Sequence, residues 1–173
     1  MRRVLRRAAL ILAVVLVALG LWVRFLAGRP VLPGVPGGPL RGEPASELPA
    51  DWMFANRDDY LLVESRAGTL PYSASVWFLA HDGRLHLLLP SFFGDGLQRR
   101  LAGDPHLRVA FDGKLYEQVA VRVTDDTAIG ALLAPVMRRQ FAIEIGAGAR
   151  ALGAAAPEGV EMAVFRLEDP QSP

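Results

Sequence analysis

The sequence lacks the residues on which several common chemistries depend. Its 173 residues contain no cysteine, which excludes disulfide bonds, thiolate nucleophiles, zinc–thiolate sites and iron–sulfur clusters. Lysine occurs once, at Lys114, so a phosphate-binding or Schiff-base lysine has a single candidate. The sequence also contains no P-loop, no Gly-x-Ser-x-Gly motif and no histidine–carboxylate cluster with zinc spacing. We therefore expect no metal site, and the sequence singles out no catalytic residue.

Acidic residues are absent from the first thirty positions, which hold six arginines. Because the whole chain carries a formal net charge of +1, residues 31–173 carry −5. A nucleic-acid-binding domain needs clustered cations that displace counterions from phosphates. The mildly acidic balance of this larger part argues against nucleic acid as a partner.

The N-terminal segment combines these arginines with an apolar run. The run covers residues 8–23, which as a helix span about 24 Å, and flanking arginines can snorkel to complete a bilayer crossing. Four arginines precede the run and two follow it, which favours a cytoplasmic N-terminus. We predict that residues 1–27 form a single-pass anchor in the inner membrane, with the remaining chain extracytoplasmic. A signal peptide cleaved near residues 18–20 and a twin-arginine export signal are the alternatives.

Residues 28–50 are rich in proline and glycine, which disfavour both helices and strand ladders. We predict a semi-extended linker here, followed by one globular domain over residues 51–173.

The globular part contains two predicted β-hairpins. Between residues 70 and 79, apolar side chains alternate with a second face that carries Ser73 and Ser75, and Asp82-Gly83 then precedes another alternating segment. Asp112-Gly113 separates two further alternating segments in the same way. Asp-Gly between alternating segments is typical of a type I′ hairpin turn.

Other segments complete the fold prediction. Residues 58–65 suggest a first strand, and residues 159–169, apolar on both faces, suggest a central closing strand. A short helix is predicted with Asp95 as its cap and Gly103 at its C′ position, and a second helix begins after Asp125 with Pro135 inside it. We predict a mainly β protein with short helices, a six-stranded antiparallel split β-barrel preceded by a transmembrane helix. Closure of such a barrel removes exposed strand edges.

The order of these elements resembles the FMN-binding split β-barrel superfamily, which includes pyridoxamine phosphate oxidase-like and deazaflavin-dependent nitroreductase-like proteins. The resemblance covers about residues 58–168. It is carried by a strand that ends in a small hydroxylated residue, a short basic helix, an Asp-Pro pair and a valine-containing strand, which here are Ser91, Arg99-Arg100, Asp104-Pro105 and residues 107–111.

The resemblance implies a homodimer with FMN, or a deazaflavin, bound between protomers. Any reaction would be hydride transfer from the reduced cofactor to a small acceptor. The positions that would contact the cofactor are Arg66, Tyr72, Ser73, Ser75, Ser91, Arg99 and Arg100.

Two positions depart from the family pattern. Leu97 stands where the family often has a phosphate-binding lysine, and Asp95 lies near the helix N-terminus, where its charge repels a phosphate. The alternative is therefore a non-catalytic, envelope-anchored binding or structural barrel that lacks flavin. Haem binding through His81 or His86 is a weaker alternative.

Overall fold

A computed structural model describes residues 2–25, 37–69, 71–91, 95–141 and 162–170. The helices are α1 (Arg2–Phe25), α2 (Gly96–Gly103) and α3 (Asp126–Phe141), and a 3₁₀ turn covers Met53–Arg57. The strands are β1 (Glu43–Pro44), β2 (Tyr60–Ser65), β3 (Tyr72–His81), β4 (Arg84–Pro90), β5 (His106–Phe111), β6 (Lys114–Val123) and β7 (Met162–Glu168).

Six of the strands close into a ring. Going round the ring, the antiparallel neighbours are β2, β3, β4, β7, β6 and β5, and β5 pairs again with β2. β7 closes the ring because it pairs with both β4 and β6. The predicted six-stranded antiparallel barrel is confirmed.

Both Asp-Gly turns have the predicted geometry. Asp82 and Gly83 have φ values of 51° and 74°, and Asp112 and Gly113 have values of 48° and 75°. Two consecutive positive φ values define the type I′ turn, whose twist matches that of the strands it joins. These short-range signals were therefore sufficient to place both hairpins.

Apolar side chains fill the barrel and also cover part of its outer surface. The interior packs residues such as Phe78, Leu87 and Phe165, which are almost completely buried. A second cluster on the outer face joins Trp77, Leu88 and Val164 to the apolar stripe of α3. For this reason β4 is buried on both faces after Arg84, and β7 is buried on both faces over residues 163–165, where their sequences are mostly apolar.

Each end of the barrel is closed by a short element. At the hairpin end, the 3₁₀ turn contributes Ala55, and the preceding Trp52 donates its backbone N–H to Gly83 O at 3.1 Å. At the opposite end, α2 inserts Leu97 and Leu101 into the interior core. The barrel is therefore plugged by the chain's own side chains at both ends.

Residues 37–45, which we call the strap, pack along the outside of the barrel. Gly37 bridges to Ser73, Leu40 is buried, and β1 lies parallel to β6. Glu43 donates its backbone N–H to Gly113 O in the hairpin turn and Ala45 to Leu115 O of β6, both at 2.9 Å, while Pro44 between them has no N–H to donate. The prediction that residues 28–50 contain no strand ladder is wrong for these positions, although the predicted domain boundaries stay predictions.

Helix α1 includes most of the predicted anchor. Its large apolar side chains between Leu10 and Trp22 are each more than half exposed. Within the described part of the chain, no helix has the combined length and apolar character that a bilayer crossing requires. Leu70 and residues 142–161, which include the start of the predicted closing strand, lie outside the described residues.

Candidate functional site

The predicted cofactor-binding residues cluster partly at one corner of the barrel. We call this the α2 corner, and it consists of the turn after β2 (residues 65–68), Tyr72 and the first turns of α2. The Arg100 guanidinium lies over the Tyr72 ring, 4.8 Å from its centroid, and its Nη1 donates to the carbonyl oxygen of Ala67. A cation over an aromatic face is an attractive arrangement. The corner thus presents a basic group and an aromatic ring in contact.

Two glycines permit this close packing. Gly68 has a φ of +89°, and a Cβ atom there would lie 3.1 Å from Arg100 Nη1. A Cβ atom on Gly96 would lie 2.7 Å from the Tyr72 hydroxyl, which is too close for any other residue without movement. The chain's own arginine and tyrosine therefore occupy the space that these glycines leave.

The other two predicted arginines pair with acids on the surface. Arg66 Nη1 lies 3.4 Å from Glu117 Oε1, and Arg99 Nη2 lies 2.9 Å from Asp95 Oδ1. Asp95 takes the predicted N-cap position of α2 but makes no side-chain cap hydrogen bond, and the predicted C′ position of Gly103 is wrong because Gly103 is the last helical residue. The Asp95 side chain instead contacts Arg99 one turn along the helix, and this ion pair replaces the cap hydrogen bond. Exposed pairs of this kind contribute little stability, so an anion can compete for either arginine.

The predicted serines are not gathered around Tyr72. Ser73 and Ser75 lie on the outer face of β3, whereas Tyr72 lies on the opposite face. Ser73 is fully buried, and its hydroxyl donates to Gly38 O of the strap at 2.7 Å. Ser91 is half-buried directly after β4. The ligand-contacting roles of these serines stay predictions.

A buried ion pair beneath the strap was missed by the sequence analysis. Ser73, Glu64 and Arg108 are register partners on three neighbouring strands, and all three face outwards. Glu64 is 3 % exposed and pairs with Arg108, and its second carboxylate oxygen accepts the backbone N–H of Leu40. The signal available in the sequence was Glu64, a charged residue within an apolar strand segment. The sequence did not show that residues 37–45 bury it.

The two histidines considered for haem lie together across the β3–β4 hairpin. The ring centroids of His81 and His86 are 6.3 Å apart. Burial lowers the pKa of His86, and the neighbouring His81 lowers it further. Among the described residues, no three histidine, cysteine, aspartate or glutamate side chains are grouped to hold a metal ion.

A cavity of about 440 Å³ lies away from the α2 corner and shares no residue with it. The residues that line it are Leu48, Pro49, Ala50, Trp52, Gly83, Arg84, Gln118, Leu167, Glu168 and Asp169. Apart from Gly83 in the predicted hairpin turn, none of these positions was singled out from the sequence, because the lining residues come from four separated segments that only the folded barrel brings together.

The fit of a flavin phosphate to this chain is partial. Arg100 and Tyr72 offer a guanidinium and a ring in one place, which suits a planar anionic ligand. Arg66, Arg99 and Ser73 contact groups of the chain itself, and one Arg100 nitrogen also donates to Ala67 O. The α2 corner accounts for part of the predicted contact set and not for all of it.

No protein-family model matches the chain, and no curated protein matches it. Among solved structures, the chain is similar to a candidate pyridoxamine 5′-phosphate oxidase from Listeria innocua, with 15% sequence identity and a TM-score of 0.48. The similarity covers 67% of this chain and 87% of the Listeria protein.

Proposed function

We propose that this chain is a split-barrel protein that binds a flavin, FMN or a deazaflavin, at the α2 corner. The observation that carries the proposal is the Arg100 guanidinium held over the Tyr72 ring at 4.8 Å. Such a pair can contact a phosphate through the guanidinium edge while the aromatic ring bounds the flat part of the ligand.

The bound flavin would supply hydride transfer to a small acceptor. The protein's part is then to anchor the phosphate through Arg100 and to orient the ring beside Tyr72. Arg66 and Arg99 lie at the surface near this corner, where a phosphate would displace Glu117 and Asp95 from them. A homodimer that encloses the ligand between protomers is part of this proposal.

We also propose that α1 attaches the barrel to the inner membrane, with the barrel on the extracytoplasmic side. The proposal is supported by the exposed apolar side chains of α1 and by the arginines at its start. Alkaline phosphatase, which is active only after export, tests the orientation when it is fused after residue 45: low activity would contradict the extracytoplasmic placement.

Flavin retention tests the binding proposal directly. The full chain, mixed with FMN and desalted, is expected to keep the absorbance of bound flavin. Arg100→Ala should weaken FMN affinity about tenfold or more, because a charge-assisted hydrogen bond is lost. Arg57→Ala is the control, since the Arg57 guanidinium pairs with Asp112 away from the α2 corner, and it should leave the FMN affinity unchanged. A wild-type protein that emerges colourless would refute flavin binding, and equal affinity of Arg100→Ala would remove the α2 corner as the site.

A second candidate function is a non-catalytic binding or structural barrel without flavin. The observation that favours it is the hydrogen bond from Ser73 to the strap, which commits a predicted ligand contact to the fold. A colourless protein whose stability is unchanged by FMN would favour this candidate.

A further inference from the structure

The 440 Å³ cavity has the dimensions of a small-molecule site. Known ligand pockets fall within about 300–1,000 Å³ and combine apolar walls with a few polar groups. Here the cavity lies between residues 48–52, the Asp82-Gly83 turn, the middle of β6 and the end of β7. Its walls therefore come from segments that the closed barrel holds in fixed positions.

A buried amide without a hydrogen-bond partner lines this cavity. Gln118 is 3 % exposed and lies on the inner face of β6, between the core residues Tyr116 and Ala120. Its Nε2 atom has no hydrogen-bond partner among the described residues. A buried N–H donor left unpaired destabilises the folded state, so such groups are rare and call for an explanation.

The remaining lining separates into an apolar wall and a charged rim. Leu48, Trp52 and Leu167 belong to the interior core or pack against it. At the rim, Glu168 contacts two guanidinium groups, that of Arg166 and, at 3.7 Å, that of Arg84, while Asp169 carries a second carboxylate. These opposite charges cancel, which favours an uncharged molecule with an apolar ring over an ion.

We propose that this cavity is a second ligand site, which takes an uncharged organic molecule with an apolar ring and a carbonyl oxygen. The carbonyl oxygen accepts a hydrogen bond from Gln118 Nε2, and the ring lies against Trp52 and Leu167. The proposal is independent of flavin binding, since the cavity and the α2 corner have no residue in common.

Benzamide and benzoate form a matched pair of probes, because they share a ring and differ in charge. In ¹H–¹⁵N spectra of the full chain, benzamide is expected to shift the Gln118 side-chain amide and the Trp52 indole resonances saturably. A probe of this size should have a dissociation constant of about 1 mM. Benzoate should bind several-fold more weakly, because its charged carboxylate loses more hydration beside the buried Gln118 amide than a neutral amide does. Absence of saturable shifts with benzamide would overturn the proposal.

The substitution Gln118→Met removes the donor and preserves most of the volume. It should weaken benzamide binding about five- to tenfold. Without ligand, it should raise the Tm by about 2–4 °C, because the unpaired donor is gone. Gln98→Met is the matched control, since Gln98 Nε2 already donates to Leu89 O at 2.8 Å and its loss should lower the Tm. Benzamide affinity unchanged in Gln118→Met, or a Tm lowered as in Gln98→Met, would contradict the assignment.

Discussion

At the scale of single residues, the charged side chains fall into two groups with different energetic weight. Arg66–Glu117 and Arg99–Asp95 lie at the surface, where water and salt weaken the attraction. Glu64, in contrast, is buried under the strap, and it needs both Arg108 and the Leu40 N–H to compensate for its lost hydration. Only the buried carboxylate is expected to matter for folding.

Glu64→Gln is therefore expected to be strongly destabilising. Loss of the carboxylate leaves the largely buried Arg108 without its counter-charge, which should cost about 2–4 kcal/mol of unfolding free energy. Denaturant titration measures this loss. Glu117→Gln, the same substitution in an exposed pair, should cost less than about 1 kcal/mol. Similar losses of unfolding free energy in both variants would show that burial beneath the strap does not strengthen the Glu64–Arg108 pair.

The pH dependence of stability should report on His86. Its pKa in the folded protein is lowered, first by burial and then by His81, so the unfolded chain binds the proton more readily. The stabilising contribution is then complete above the ordinary histidine pKa of about 6.5 and is lost as the pH falls towards the lower, folded-state pKa. Denaturant titrations from pH 7.5 down to 5 should show decreasing stability.

A substitution isolates the histidine's share of this effect. In the His86→Leu variant, the unfolding free energy should decrease less between pH 7.5 and pH 5. The hydrogen bond from the backbone N–H of His106 lowers the pKa of Asp104. This carboxyl group therefore titrates below the ordinary aspartate pKa of about 3.9, outside the range from pH 7.5 to 5. An unchanged slope in His86→Leu would exclude His86 as the group responsible.

At the scale of secondary-structure elements, local signals predicted some features and failed for others. The Asp-Gly turns were predictable because the positive φ values depend on two adjacent residues. The absence of a cap hydrogen bond in α2 was not predictable, because the Asp95 side chain can contact either the helix N–H groups or Arg99, and in the structure it contacts Arg99. Pro135 lies inside α3, which continues past it to Phe141. Sequence patterns located these elements, but they did not decide between competing contacts at their ends.

The start of α3 offers a test of capping. Asp125 Oδ1 accepts the backbone N–H of Ala128 at 2.7 Å, which satisfies one of the unpaired donors at the helix N-terminus. Asp125→Ala should therefore cost about 1 kcal/mol of unfolding free energy. Asp126→Ala, one position later in the exposed first turn, should cost less than about 0.5 kcal/mol. Denaturant titration of the two variants measures the difference, and an equal cost for both would contradict the cap.

At the scale of the whole molecule, the strap and the cavity around Gln118 were beyond sequence reasoning, whereas four residues of the α2 corner were predicted. Residues 37–45 contain the glycines and prolines typical of a linker, and nothing local indicates that Gly37 reaches Ser73 or that β1 reaches β6. The cavity around Gln118 likewise depends on barrel closure, which joins segments far apart in the chain. The six strands, the two hairpins and the closed antiparallel barrel were predicted, whereas the pairing of β2 with β5 and of β7 with β4 and β6 required the structure.

Two truncated chains test whether the strap belongs to the folded unit. A chain of residues 37–173 retains the contacts of Leu40 with Glu64 and of Gly38 with Ser73, whereas residues 51–173 lose them. The shorter chain should be less stable by about 2–5 kcal/mol, because a buried carboxylate and an apolar contact lose their cover. Thermal unfolding of both chains measures this. Equal Tm values would mean that the barrel folds without the strap.

The position of β1 also has a mechanical consequence. A pulling force applied to α1 reaches the barrel through the strap, so it loads the bridge of Gly37 to Ser73 before any strand of the ring. The few hydrogen bonds of Glu43 and Ala45 would rupture next, while the closed cylinder, with every strand held on two sides, still resists. Under tension the strap is therefore expected to detach before the barrel unfolds, which would expose Glu64 and Ser73 and leave the core intact.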